Sequence, residues 1–143
     1  MALDVKRYER DGYVFPIPIL DPGEVDVLLQ HVTRLQASVD NPMERSTRAL
    51  NRQHLPAPHM FFPWAFEAAT RPNLLDQVEN ILGPDILLWG TLILSKNPDS
   101  RSFVPWHQDS AYTAFLNGSR ALTAWIALTP ATSESGCMRK CQN

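Results

Sequence analysis

Cysteine is almost missing from this chain: Cys137 and Cys141 are the only two, both close to the end of the 143-residue sequence. A C-x-x-x-C pair with no second pair and no nearby histidine does not complete a zinc site, so both are expected to be ordinary reduced thiols. Also lacking is any apolar run near the ~18 residues that a membrane-spanning helix needs. Asp4, Lys6, Arg7, Glu9 and Arg10 put charge where a signal peptide would carry its apolar core. The expected compartment is the cytoplasm, with no membrane partner. Neither sign of charge dominates, with 13 basic against 15 acidic side chains and a net charge of −2. No basic stripe exists to follow a phosphate backbone, which argues against nucleic acid as a partner. There are no repeats, and the 12 prolines are spread among turns, so no low-complexity tract interrupts the chain.

What is present, 44% apolar and 20% charged residues, suits one globular domain spanning 1–143. A short helix is expected from Leu3 to Arg10, stopped by Gly12, then a strand through Tyr13, Val14 and Phe15 that Pro16 and Pro18 end. Asp21-Pro22-Gly23-Glu24 is a helix start, with Asp21 as N-cap and Glu24 at the capping-box position. Val25, Leu28, Leu29, Val32 and Leu35 follow at helical spacing as a core stripe, and His31 lies off it. From Asp40 to Pro63 periodicity is lost and a long loop is expected. His59, beside Met60, Phe61 and Phe62, is either packed against them or turned into a pocket, and packing is the commoner case. A helical turn over Trp64–Ala69 and a firm helix over Pro72–Leu82 follow, the latter with Leu74, Leu75, Val78, Ile81 and Leu82 on one side and Gly83-Pro84 at its end. Asp85–Leu94 and Ala121–Leu128 read as buried strands.

Between those strands lies Val104-Pro105-Trp106-His107-Gln108-Asp109. In extended backbone, side chains two apart leave the same face, so His107 and Asp109 converge while Gln108 points elsewhere. An imidazole and a carboxylate are two of the three ligands in the 2-His-1-carboxylate set that holds non-heme Fe(II) and leaves positions open. The other histidines, His31, His54 and His59, all precede the motif.

Five elements in fixed order sharpen this reading: L-G-P-D from Leu82, L-S-K-N-P from Leu94, W-H-Q-D-S-A-Y from Trp106, T-A-W-I-A-L from Thr123, and S-G-C-M-R from Ser135. The sequence resembles the phytanoyl-CoA dioxygenase family of Fe(II)- and 2-oxoglutarate-dependent oxygenases. The resemblance implies a mainly β fold with N-terminal helices (α+β), a double-stranded β-helix or jelly roll with iron between its two sheets. It implies that His107 and Asp109 are metal ligands, and that Gln108, Trp125 and Lys96 lie toward the co-substrate 2-oxoglutarate. Each of those three also has a plainer reading, as packing, a solvent-facing amide or an exposed turn lysine. Trp106 and Tyr112 are candidates for the substrate side, the substrate being a small organic or acyl molecule. A carboxylate at Asp109 favours hydroxylation over halogenation.

In the family the second iron-binding histidine and the arginine that meets 2-oxoglutarate lie on later strands, and neither Arg120 nor Arg139 sits at the matching position. This sequence is therefore read as a truncated or fragmentary member whose jelly roll is incomplete, impaired in turnover as an isolated chain. Its strands are expected to expose edges and apolar faces and to drive self-association. Two alternatives stand beside the oxygenase: an inactive remnant acting as a protein-binding module, and a cupin-like metal-binding β-protein, which lacks its usual upstream ligand cluster.

Overall fold

The computed structural model describes residues 3–38, 54–96, 103–109 and 120–140. The first helix, α1, spans Val5–Asp11. Asp4 caps it by accepting from the Arg7 N–H at 3.0 Å, and Gly12 closes it at φ 74° with its N–H on the Tyr8 carbonyl. Gly12 is glycine for a reason, since a side chain at that left-handed φ is strained. No strand forms at residues 13–15, contrary to expectation. Pro16 and Pro18 remove two donors from the segment, and Tyr13 stacks on Phe15 with ring centroids 5.6 Å apart.

Helix α2 spans Pro22–Ser38. Its capping box is complete: the Glu24 N–H donates to Asp21 Oδ1 and the Asp21 N–H to Glu24 Oε2, each at 2.9 Å. The expected stripe faces inward, with Val32 buried and Val25, Leu28, Leu29 and Leu35 half-buried. His31 stacks on Trp64 at 5.1 Å between centroids, joining α2 to the next helix.

The expected loop is partly ordered. Its residues 40–53 lie outside the described residues, but His54–Pro56 form strand β1 and Pro58–Met60 a 3₁₀ turn. β1 pairs antiparallel with β2, Leu92–Leu94, in the register His54↔Leu94, Leu55↔Ile93, Pro56↔Leu92. The pairing runs on through the Ala57 N–H to the Thr91 carbonyl at 2.8 Å. Pro58, with its φ preset for the turn, is wholly buried. This turn packs on α3, Pro63–Ala69, which is followed by α4, Pro72–Leu82. In α4 Leu74 and Ile81 are buried and Leu75, Val78 and Leu82 half-buried, as the spacing requires. Arg71, at the α4 N-cap, pairs with Glu24, donates to Asn73 Oδ1 at 2.9 Å, and so ties the start of α4 to the start of α2. The Asn73 amide completes the link on the Ile19 carbonyl at 2.7 Å.

The mainly β expectation needs correction. The described residues hold four α-helices and a single two-stranded sheet, and they do not form a jelly roll. Of the run 85–94 only Leu92–Leu94 is strand, and 121–128 contains none. A strand exists through its ladder, and β1 supplies partner groups to three residues only. Side-chain alternation nevertheless survives. Ile86 and Leu88 are half-buried between exposed Leu87 and Trp89, and after a change of phase at Gly90 so are Thr91 and Ile93 beside exposed Leu92 and Leu94; in 121–128 Leu122, Ile126 and Leu128 are half-buried while Thr123, Ala124, Trp125 and Ala127 are exposed. The fully buried apolar side chains, Val32, Ala65, Leu74 and Ile81, all come from the helices. Among the described residues no helix is long and apolar enough to cross a membrane.

Candidate metal centre

His107 and Asp109 sit on the short described segment 103–109, in which His107 is outside regular structure and Asp109 has 3₁₀ conformation. Pro105 shapes it twice, by restricting its own φ and by offering a carbonyl to the ring two residues on. His107 Nδ1 lies 2.8 Å from the Pro105 oxygen, and a carbonyl only accepts, so Nδ1 carries the hydrogen. That fixes the ring with Nε2 toward Asp109, whose Oδ1 is 3.3 Å away. Two outcomes are chemically sensible. Nε2 carries a second proton and the pair is an imidazolium beside a carboxylate, or Nε2 presents its lone pair and a cation is needed between the two acceptors. The donor set, one imidazole nitrogen and one carboxylate oxygen, fits Fe(II) as two of its three protein ligands. The side chains are 38% and 61% exposed, which leaves them accessible to an ion.

Asp109 is held on its other side. Thr123 donates its hydroxyl to Oδ2 at 2.8 Å across 14 residues of sequence. The sequence reading missed this residue, although the signal was available: alternation along 121–128 puts Thr123 on the same face as Trp125, which was singled out.

The other candidates fall as follows. Gln108 is exposed and Trp125 is 47% exposed. Lys96 donates its ammonium to the Gly136 carbonyl, joining the end of β2 to the turn in which the Cys137 N–H bonds the Thr132 carbonyl. Trp106 is 68% exposed, and Tyr112 lies outside the described residues. His59 belongs to the scaffold: its N–H and its Nδ1 both meet Thr91 Oγ1, at 3.3 and 2.8 Å. His31 is taken up by Trp64. Cys137 is a half-buried free thiol, and Cys141 is outside the described residues. Among the described residues no group of three His, Cys, Asp or Glu side chains gathers to hold a metal. The structure thus unites His107, Asp109 and Thr123 without a described third ligand.

Comparison with known proteins identifies the family. The model of the phytanoyl-CoA dioxygenase (PhyH) family matches residues 8–140, nearly the whole sequence. The chain belongs to the phytanoyl-CoA dioxygenase family. Members similar to it include the peroxisomal phytanoyl-CoA dioxygenases of Bos taurus and Homo sapiens, each 34% identical over 76 residues, and that of Rattus norvegicus, 30% identical over 76 residues. These matches cover 51% of this chain but only 23%, 22% and 22% of the three relatives. The matched 76 residues thus span less than a quarter of the length of each of these relatives. No solved structure matches the chain significantly.

Proposed function

We propose that this chain carries the first part of the iron site of an Fe(II)- and 2-oxoglutarate-dependent dioxygenase that hydroxylates a small organic or acyl substrate. The observation that carries the reading is the 3.3 Å approach of His107 Nε2 to Asp109 Oδ1, with Nδ1 turned away onto the Pro105 carbonyl. His107 and Asp109 would hold the metal, and bound Fe(II) with 2-oxoglutarate supplies the oxidising power for inserting a hydroxyl into a C–H bond. The chain's own work is orientation. The Pro105 carbonyl keeps the proton on Nδ1 so that Nε2 is the nitrogen offered to the metal, as outer partners of ligating histidines do. Lys96, Gln108 and Trp125 are proposed on the co-substrate side, Lys96 after leaving the Gly136 carbonyl for a carboxylate of 2-oxoglutarate. Family membership supports all these roles, and Asp109 supports hydroxylation over halogenation.

The test is an anaerobic titration of the purified chain with Fe(II) and 2-oxoglutarate, followed through the weak visible metal-to-ligand charge-transfer band. A band in the wild type that disappears in His107→Ala is the expected result, with no accompanying succinate production, since no third ligand joins the pair among the described residues. A soluble, folded chain that shows no band, or a band indifferent to His107→Ala, overturns the assignment.

A second reading, a protein-binding module without turnover, is favoured by one observation: the apolar side chains Leu87, Trp89, Leu92 and Leu94 are each exposed along and before β2. Exposed apolar surface of this kind also favours self-association, so the two readings compete.

A further inference from the structure

We infer that Thr123 is a positioning residue of the metal centre, which aims the Asp109 carboxylate at the coordination position beside His107 Nε2. The inference rests on the proposed metal site and adds a member to it.

An aspartate carboxylate turns about two side-chain bonds, so its orientation is set by the groups that bond it. Here Oδ2 accepts from Thr123 Oγ1 at 2.8 Å, and Oδ1 faces His107 Nε2 at 3.3 Å. Threonine suits this task because its β-branch restricts χ1, so the hydroxyl is presented in a narrow range of directions. The hydroxyl comes from outside the motif, on the segment that also carries Trp125, so it registers the 121–128 run against the His107–Asp109 segment. Both ligands are then gripped by an outer partner, His107 by the Pro105 carbonyl and Asp109 by the Thr123 hydroxyl. Removing such partners typically costs 10–100-fold in metal affinity.

The experiment is Mn(II) titration of the full 143-residue chain, with free Mn(II) read by electron paramagnetic resonance, on the wild type, Thr123→Val, Thr123→Ser, Asp109→Ala, His107→Ala and the double variant Asp109→Ala/Thr123→Val. Circular dichroism confirms that each is folded, and the exposure of Thr123 makes valine tolerable there. The expected result is an affinity about 10-fold lower in Thr123→Val, close to wild type in Thr123→Ser, and no further loss when Thr123→Val is added to Asp109→Ala. Wild-type affinity in Thr123→Val overturns the inference and leaves the metal site standing. An equal loss with and without Asp109 also overturns it, since the threonine would then act on the fold and not through the carboxylate. A wild type whose Mn(II) binding does not depend on His107 overturns the metal site itself, and this inference with it.

Discussion

Glu24 shows how one side chain links local and long-range structure. Its carboxylate accepts from the Asp21 backbone and pairs with Arg71 at the head of α4. Both interactions favour the ionised form, the Asp21 N–H first and the Arg71 guanidinium second, and hold its pKa below the ordinary glutamate value. A carboxylate whose pKa is lowered by folding adds stability above its unfolded pKa and loses it as pH falls through the folded one. Wild type is therefore expected to melt above Glu24→Gln at neutral pH, with the gap closing below about pH 4, near the unperturbed glutamate pKa. A gap that persists undiminished at pH 3 in thermal melts would contradict this assignment. At the same scale, His107 and Asp109 were legible because their spacing is a property of neighbouring residues. For Thr123 the pattern of the run offered only the face shared with Trp125, and its bond to Asp109 was not legible, because that partner is 14 residues away and only folding brings the two together.

The elements divide by the range of their hydrogen bonds. α4 forms over Pro72–Leu82 as the spacing anticipates, since its ladder is internal and its apolar stripe needs only one surface to cover it. Ile81, 5% exposed, is one of four fully buried apolar side chains among the described residues, so Ile81→Ala is expected to cost about 2–4 kcal/mol in denaturant unfolding. A loss under 1 kcal/mol would mean that the helical layer is not the stabilising core. Residues 85–91 and 121–128 carry equally clear apolar patterns, yet are not strands, because the groups that would pair with them must come from another segment. β1 provides this for Leu92–Leu94 alone.

At the scale of the whole molecule, burial is one-sided. Leu87 is 78% exposed, Trp89 63%, Leu92 52% and Leu94 47%, on a run whose composition suits cover on both faces. Each large apolar side chain taken out of water contributes about 1.5–3 kcal/mol, so a face of this kind favours whatever covers it. We expect the isolated chain to associate with itself, its weight-average mass in sedimentation equilibrium rising with concentration, and the double substitution Leu87→Lys/Trp89→Lys to shift it toward monomer. A monomer at all concentrations would sink this expectation, and a stoichiometric complex with another protein that the same substitutions abolish would favour the binding-module reading. The matched 76 residues span less than a quarter of the length of the chain's phytanoyl-CoA dioxygenase relatives.

The sequence by itself determined whatever depends on near neighbours: Gly12 at the end of α1, the Asp21–Glu24 capping box, the stripes of α2 and α4, and the two-residue spacing of the ligand pair. Its ordered motifs also sufficed to place it in the family, since these follow the chain and not its folding. Tertiary structure decided the rest. It turned part of an expected loop into β1 and a buried 3₁₀ turn, committed His59 to Thr91 and Lys96 to the Gly136 carbonyl, withheld strand pairing from 121–128, and set Thr123 on Asp109. The physical reason is the same in each case: a hydrogen bond between distant segments forms only where the fold brings a complementary group into reach, and no local pattern specifies that group.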